Sequence, residues 1–479
     1  MSSTPRTAGL VGLAAAVSSM AFSWNPSFWG DEAASIMSAQ RSLPSLGELV
    51  LRIDAVHGLY YLFLHFWIQL VGISEFAVRS PSAIAVGVAA AGTVVLVRQF
   101  ASHRVALIAG LACVVLPRFT YMGMEARSYA FSTAVAVWLT VLFIALLRSQ
   151  TRRRLYWAGY ALLAAFGIWL FLYLALLLVV HGAHLLLERK SRPLLRPWAL
   201  ASGATVFICA PIVIAAIAER DQIAFLRMQP LDPTGIFVTP WFGNIVVAVI
   251  AWALIVLAIV TALRRRSHRQ SRLTLLAVLW LLIPAAMLMA TTLALLPIYS
   301  VRYLSFSTPA AALLIALGVD ALGRRYLRWI AVAVLVASVA PTWVFQRGEF
   351  AKDGGSDWRQ VSDTMAQNAS PGDGVYFDAS TKPSQRPRLG MHLYPAGYAG
   401  LVDVALETPF DAGAWLWDSV YQLDQTHAAL ASVHTLWVVD MTDSTVQRSS
   451  DQAHFLVADG FALTSTISLH RTTIYEYTR

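Results

Sequence analysis

Long apolar runs separated by short polar segments fill the first 345 residues, and a mixed pattern of polar and apolar positions fills the remainder. The runs lie at roughly 8–24, 82–98, 104–117, 130–147, 155–168, 170–188, 198–217, 243–263, 274–294, 304–320 and 328–345. Many reach the ~20 residues that a helix needs to cross a bilayer, so the pattern predicts about eleven transmembrane helices. Pro211 and Pro284 fall inside two runs and predict kinks that neighbouring helices accommodate. Only Arg6 precedes the first run and many runs follow it, which reads as an uncleaved anchor rather than a signal peptide.

The segment Leu59 to Val71 is apolar but short, and it carries aromatics with His57 and His65 beside them. Counting it as a span would invert every later loop. It is read instead as a helix lying at the membrane interface, inside one long outer loop over residues 25–80. From residue 347 the chain turns polar, with strand-like runs at Gly374 to Phe377, Thr435 to Val439 and Thr464 to Leu469 and a helical pattern around Trp358 to Gln367. The expected architecture is therefore a polytopic, all-α membrane domain over 1–346, with a C-terminal α/β domain over 347–479.

Composition agrees with that reading. The 479 residues are 57% hydrophobic and 13% charged, about half the charge of an ordinary soluble domain. Cys113 and Cys209 both sit inside apolar runs, so no disulfide framework or cysteine metal cluster is expected. The net charge of +9 comes mostly from arginine, and the arginines lie between spans, so nucleic acid is not implied. With a cytoplasmic N-terminus, nineteen Lys and Arg fall in inside segments, including Arg152 to Arg154 and Arg264 to Arg266, against eight in the outside segments of the membrane part. The positive-inside rule selects this topology and places the C-terminal domain outside. The near absence of Lys in an Arg- and Ala-rich chain suggests a high-GC, actinobacterial source.

Chemistry concentrates on the outer side. Asp31 and Glu32 follow the first apolar run by a few residues, and ionisable groups kept near hydrocarbon are costly enough to suggest function. Asp31 could also simply cap a helix starting near Ala33. The eight outer arginines include Arg79, Arg127 and Arg302, with His57 and Glu125 on the same side. A carboxylate at headgroup level can act as general base on a hydroxyl, while arginines receive a departing lipid phosphate. Such a site needs no nucleotide. No metal is expected, because the outer side has no His and acidic cluster at ligand spacing and neighbouring Asp and Glu cannot complete an octahedral shell. His181 and His184 read as packing residues, and Glu219-Arg220-Asp221 with Arg227 as a solvated loop.

Four stretches carry a family resemblance: Phe28-Trp29-Gly30-Asp31-Glu32, His57-Gly58-Leu59-Tyr60-Tyr61-Leu62, Phe76-Ala77-Val78-Arg79-Ser80-Pro81-Ser82, and Tyr121-Met122-Gly123-Met124-Glu125-Ala126-Arg127-Ser128-Tyr129-Ala130. In this order they resemble the membrane glycosyltransferases of the C-type (GT-C) fold, in the branch of protein O-mannosyltransferases and lipid A aminoarabinose transferases. Val301 to Leu304 and Asp357 to Arg359 add weaker matches. Gly58 and Leu59 stand where that family has two prolines. The resemblance implies an inverting transferase using a polyprenyl-phosphate sugar, without a cofactor. Asp31 would be the base with Glu32 beside it, and His57, Arg79, Glu125, Arg127 and Arg302 would bind donor phosphate or substrate. Mannose is the first expectation for the sugar and arabinose the second. The acceptor would be a glycolipid, lipoglycan or protein outside the cytoplasmic membrane. A lipid-linked sugar transporter or flippase is the rival class; against it, the spans carry few charges and no half repeat appears.

Overall fold

All eleven apolar runs fold as helices, and the reason is the solvent they match: a backbone in hydrocarbon must satisfy its hydrogen bonds within its own segment. The computed structural model describes residues 3–148, 153–228, 231–264, 268–442 and 446–479. Arg152, Arg265 and Arg266, counted above for orientation, lie outside them. Among the described residues seven helices are long and apolar enough to cross a membrane, including Tyr129–Arg148, Ile245–Arg264 and Arg325–Phe345, so this is a multi-pass membrane protein. Some of the expected spans are shorter than the pattern suggested. His103–Val115 has 13 residues, about 20 Å of helix against about 30 Å of hydrocarbon.

The chain divides into two compact units. The first comprises Met1–Ser23, Asp54–Tyr60 and Arg79–Phe345 and is built almost entirely of helices around one apolar core. Small residues let its helices approach. A Cβ at Gly87 would stand 2.6 Å from the Gly12 carbonyl oxygen, and one at Gly12 would stand 2.8 Å from that of Gly87, so helix Ser3–Met20 crosses helix Glu75–Arg98 backbone to backbone. His181 does more than pack. Its ring stacks on Phe143 at 4.1 Å and shares hydrogen bonds with Tyr160 (2.8 Å) and Thr140 (3.2 Å). Because the Thr140 hydroxyl already donates to the Ala136 carbonyl, His181 Nε2 must be the donor to it and Nδ1 the acceptor from Tyr160.

The second unit comprises Trp24–Ile53, Tyr61–Val78 and Gln346–Arg479. Its strands are β1 (Gly374–Phe377), β2 (Val402–Asp403), β3 (Leu406–Thr408), β4 (Ser419–Val420), β5 (Thr435–Met441), β6 (Ala462–Ser468) and β7 (Thr472–Thr478). Five of them form a mixed sheet in the order β2-β1-β5-β7-β6, with β2, β1 and β5 parallel and the β5, β7 and β6 pairs antiparallel. Alternation sends Tyr376 and Val438 to one face and Val375, Phe377, Trp437 and Val439 to the other, each into its own apolar cluster. Both faces being covered, β1 is buried at all four positions. Away from the sheet centre, Arg388 reaches both Asp403 and Asp418, and His392 hydrogen-bonds Asp418 at 2.7 Å. Burial raises the Asp418 carboxyl, but His392 and Arg388 outweigh it and hold the group down at about 2.

Replacing Gly87 by valine should push the Ser3–Met20 helix off its neighbour and cost about 1–3 kcal/mol. A thermal melt in detergent checks it, with Gly159→Val, whose added Cβ meets nothing within 4 Å, expected to leave the melting temperature nearly unchanged.

Candidate functional site

The predicted site residues fall in both units, and each group has its own geometry. Asp31 and Glu32 lie in the second unit, on helix Gly30–Gln40. The N-cap of that helix is Trp29, extended at φ −144°, and no side chain caps it. Asp31 is therefore the second residue of the helix and not the cap of a helix beginning near Ala33. Both carboxylates stand in the first turn, where the unpaired backbone N–H groups favour negative charge. Successive helical residues point about 100° apart, and this separates the pair: Glu32 is fully buried while Asp31 is half-buried. Gly30 is required by a close approach, since a Cβ there would run into the Ser384 backbone carbonyl.

The approach to this helix is irregular chain, yet its polar backbone groups are met. Arg359 donates to the carbonyls of Asn25 and Trp24, both at 2.8 Å, and Ser356 Oγ donates to that of Phe28 at 2.6 Å. The Phe28 N–H donates to the Tyr394 hydroxyl at 2.8 Å, and that hydroxyl donates to Glu75 at 2.5 Å. Glu75 in turn pairs with Arg359. Of these residues only Phe28 and Arg359 belonged to stretches that carry the family resemblance. Glu75, Ser356 and Tyr394 carry no signal by spacing, because their partners lie hundreds of positions away in the chain.

In the first unit the structure brings His57 and Arg127 together. Arg127 Nη2 lies 3.0 Å from His57 Nε2, and since a guanidinium can only donate, that imidazole nitrogen is the acceptor and the ring is neutral. Burial, with the Arg127 charge beside it, holds the imidazole down at about 4, against a smaller upward pull from Asp54 at 3.8 Å. Asp54, not singled out from the sequence, sits in the left-handed region at φ 62°, a conformation that aspartate tolerates better than most residues. Glu219 was expected in a solvated loop. It instead accepts the Ala55 N–H at 3.2 Å, next to this group.

Glu125 is fully buried, and its carbonyl accepts the Ser82 hydroxyl at 2.6 Å. Arg118 is its electrostatic partner. That guanidinium, buried and bonded to the carbonyls of Pro240 (3.1 Å) and Thr239 (3.3 Å), was counted among the outer arginines but not singled out; an arginine at a position that offends the positive-inside rule was the signal for it. Arg79 is buried and donates to the Ser23 carbonyl at 2.5 Å, a clasp between chain segments. Arg302 lies in the helical turn Val301–Ser307, and its charge acts on the Tyr303 hydroxyl together with those of Arg127 and Asp54. Tyr303 stacks on Tyr173 at 4.7 Å, with Phe171 and Tyr129 continuing the aromatic surface. Arg302 and Arg127 thus border one aromatic wall. Among the described residues no three His, Cys, Asp or Glu side chains gather as metal ligands would.

Lowering the pH through the His57 window should destabilise the protein. The unfolded imidazole titrates near 6.5 and the folded one near 4, so the unfolded chain binds the extra proton first; stability is full above about 6.5 and falls as the pH drops toward 4. Melting temperatures across pH 4–7.5 should show that loss in the wild type and a reduced loss in His57→Gln.

Comparison with known proteins places this geometry in context. The family described as dolichyl-phosphate-mannose-protein mannosyltransferase matches residues 59–215. No curated protein matches the chain in sequence. Among solved structures, ArnT from Cupriavidus metallidurans bound to undecaprenyl phosphate aligns with a TM-score of 0.59 at 13% identity, covering 98% of this chain and 97% of that one. The arabinofuranosyltransferase AftD from Mycobacteria aligns at 0.53 and 14% identity, over 98% of this chain and 40% of AftD. The oligosaccharyltransferase of Archaeoglobus fulgidus, in complex with zinc and sulfate, aligns at 0.51 and 12% identity, over 97% and 72%. The chain has the GT-C fold of these membrane glycosyltransferases, with a strand-containing C-terminal domain.

Proposed function

We propose that this chain, a glycosyltransferase by fold and family match, moves one sugar from a polyprenyl-phosphate donor to an acceptor hydroxyl at the outer face of the cytoplasmic membrane. The observation that carries the reading is the division of labour between Asp31 and Glu32. Both are held in the first turn of one helix, and of the two only Asp31, half-buried, keeps part of its surface open while Glu32 is fully buried. In this reading the Asp31 carboxylate takes the proton of the acceptor hydroxyl as its oxygen attacks the anomeric carbon. The bond from that carbon to the donor phosphate oxygen breaks with inversion, and the electron pair leaves on polyprenyl phosphate. The buried Glu32 orients the helix turn that presents Asp31. Arg127, Arg302 and His57 receive the phosphate charge, Arg79 holds the Ser23 carbonyl, and Glu125 sets the field around Arg118. The aromatic wall of Tyr173 and Tyr303 offers a face against which a sugar or an isoprenoid unit packs.

Mannose is the sugar this reading puts first, supported by the mannosyltransferase family match over residues 59–215. Arabinose stays as the second, because the fold is shared with an arabinofuranosyltransferase. The acceptor class is a glycolipid, lipoglycan or protein, and no step calls for a metal or a nucleotide. The C-terminal domain lies outside in this topology, and an actinobacterial envelope fits the composition.

The test is transfer of labelled sugar from polyprenyl-phosphate mannose to a membrane extract by the purified protein. Wild type should label product, and Asp31→Asn should lower turnover by about 10²-fold to 10⁴-fold. Equal labelling by both would remove Asp31 as the base. Labelling from the arabinose donor alone would replace mannose, and labelling from neither would overturn the glycosyl-transfer reading in favour of transport.

A further inference from the structure

We infer that Arg359, Tyr394 and Glu75 are positioning residues for the Asp31 carboxylate, holding the backbone that leads into its helix; this rests on the reading of Asp31 as the base. Residues 24–29 form turns and irregular chain, and such a segment has no ladder of its own to fix it. Its backbone groups are taken one after another by three side chains more than three hundred positions further on. The Arg359 guanidinium bonds the carbonyls of Trp24, Asn25 and Pro26 (2.8, 2.8 and 3.5 Å), and its backbone N–H donates to Ser27 Oγ at 3.3 Å. Ser356 takes the Phe28 carbonyl and Tyr394 the Phe28 N–H. The Ser27 N–H bonds the Glu349 carbonyl at 3.0 Å. Five consecutive residues are thereby tied, and the next but one, Gly30, is pressed against Ser384.

The three positioning side chains also fix one another. Glu75 accepts from Arg359 Nε at 3.1 Å and from the Tyr394 hydroxyl at 2.5 Å, and the guanidinium lies 5.8 Å from the centre of the Tyr394 ring. The Phe28 ring packs on the same tyrosine at 5.4 Å. Tyr394 itself is pushed well above the ordinary tyrosine range by burial and the Glu75 charge, so it stays a donor to Glu75 at any working pH. A planar fork with several donors suits three carbonyls that a lysine could not span. The consequence concerns placement. Asp31 follows the last clamped residue by three positions, and an error of about 1 Å in a reacting group can cost about 10²-fold in rate.

Tyr394→Phe keeps the ring and removes only the hydroxyl, and Arg359→Lys keeps the charge and removes the fork. Each should lower kcat for sugar transfer about 10-fold to 100-fold with the donor KM within twofold, and the two losses should not multiply when combined, since the side chains act as one unit. Hydrogen exchange followed by mass spectrometry should rise at least tenfold across residues 24–33 in either variant, with strand β5 unchanged. Tyr421→Phe, on an exposed tyrosine of the same domain, is the control. Unchanged kcat in both variants, or unchanged exchange over 24–33, overturns the positioning role. A parallel loss of exchange protection in β5 makes these residues general supports of the domain and overturns it as well. If instead Asp31→Asn transfers sugar as wild type does while exchange at 24–33 still rises, the clamp stands as a structural fact and the base reading is what fails.

Discussion

The irregular chain of residues 21–29, between the first apolar helix and the helix of Asp31, must find partners for its peptide groups, and for Trp24 to Phe28 the second unit supplies them. A buried N–H or C=O without a partner costs about as much as a lost hydrogen bond. Here the partners include side chains from residues 356, 359 and 394, with Glu75 bracing the last two. The α/β domain therefore has a second role beyond its own sheet. The segment that carries the adjacent carboxylates is a part of that domain's compact unit, although the chain returns to the helical unit at Asp54.

The helical unit solves a different problem. Its interior is apolar enough that charges inside it need specific reasons, and those found are either clasps or neighbours of other charges. Arg79 on the Ser23 carbonyl is a clasp. Arg127 on His57, and Arg118 beside Glu125, are charges that meet ionisable groups. These residues come from short connections at helix ends, where the helical ladder is incomplete and side chains can turn toward one another.

Much of this was legible in the sequence. Each apolar run became a helix because hydropathy over about 20 residues depends little on tertiary context, and Gly374–Phe377 emerged with the predicted bounds because a short β-branched and aromatic run between Gly and Asp has few other uses. Strand β7 was missed since Thr472–Thr478 alternates too weakly to stand out, and it is defined by pairing with β5 rather than by its own pattern. Which outer arginines matter was only partly legible. Arg302 and Arg118 broke the same orientation rule, and nothing local separated them. The placement of Asp31 one residue inside its helix, rather than at the cap, turned on the conformation of Trp29, which carries no capping side chain to announce it.

The hydrogen bond from Arg127 to His57 has one more implication. A neutral imidazole owns a single lone pair, and here that pair is occupied by a guanidinium. The ring therefore takes a proton or a cation at Nε2 only by giving up that bond. On the proposed reading His57 is then no base, and the proton of an acceptor hydroxyl falls to a carboxylate instead.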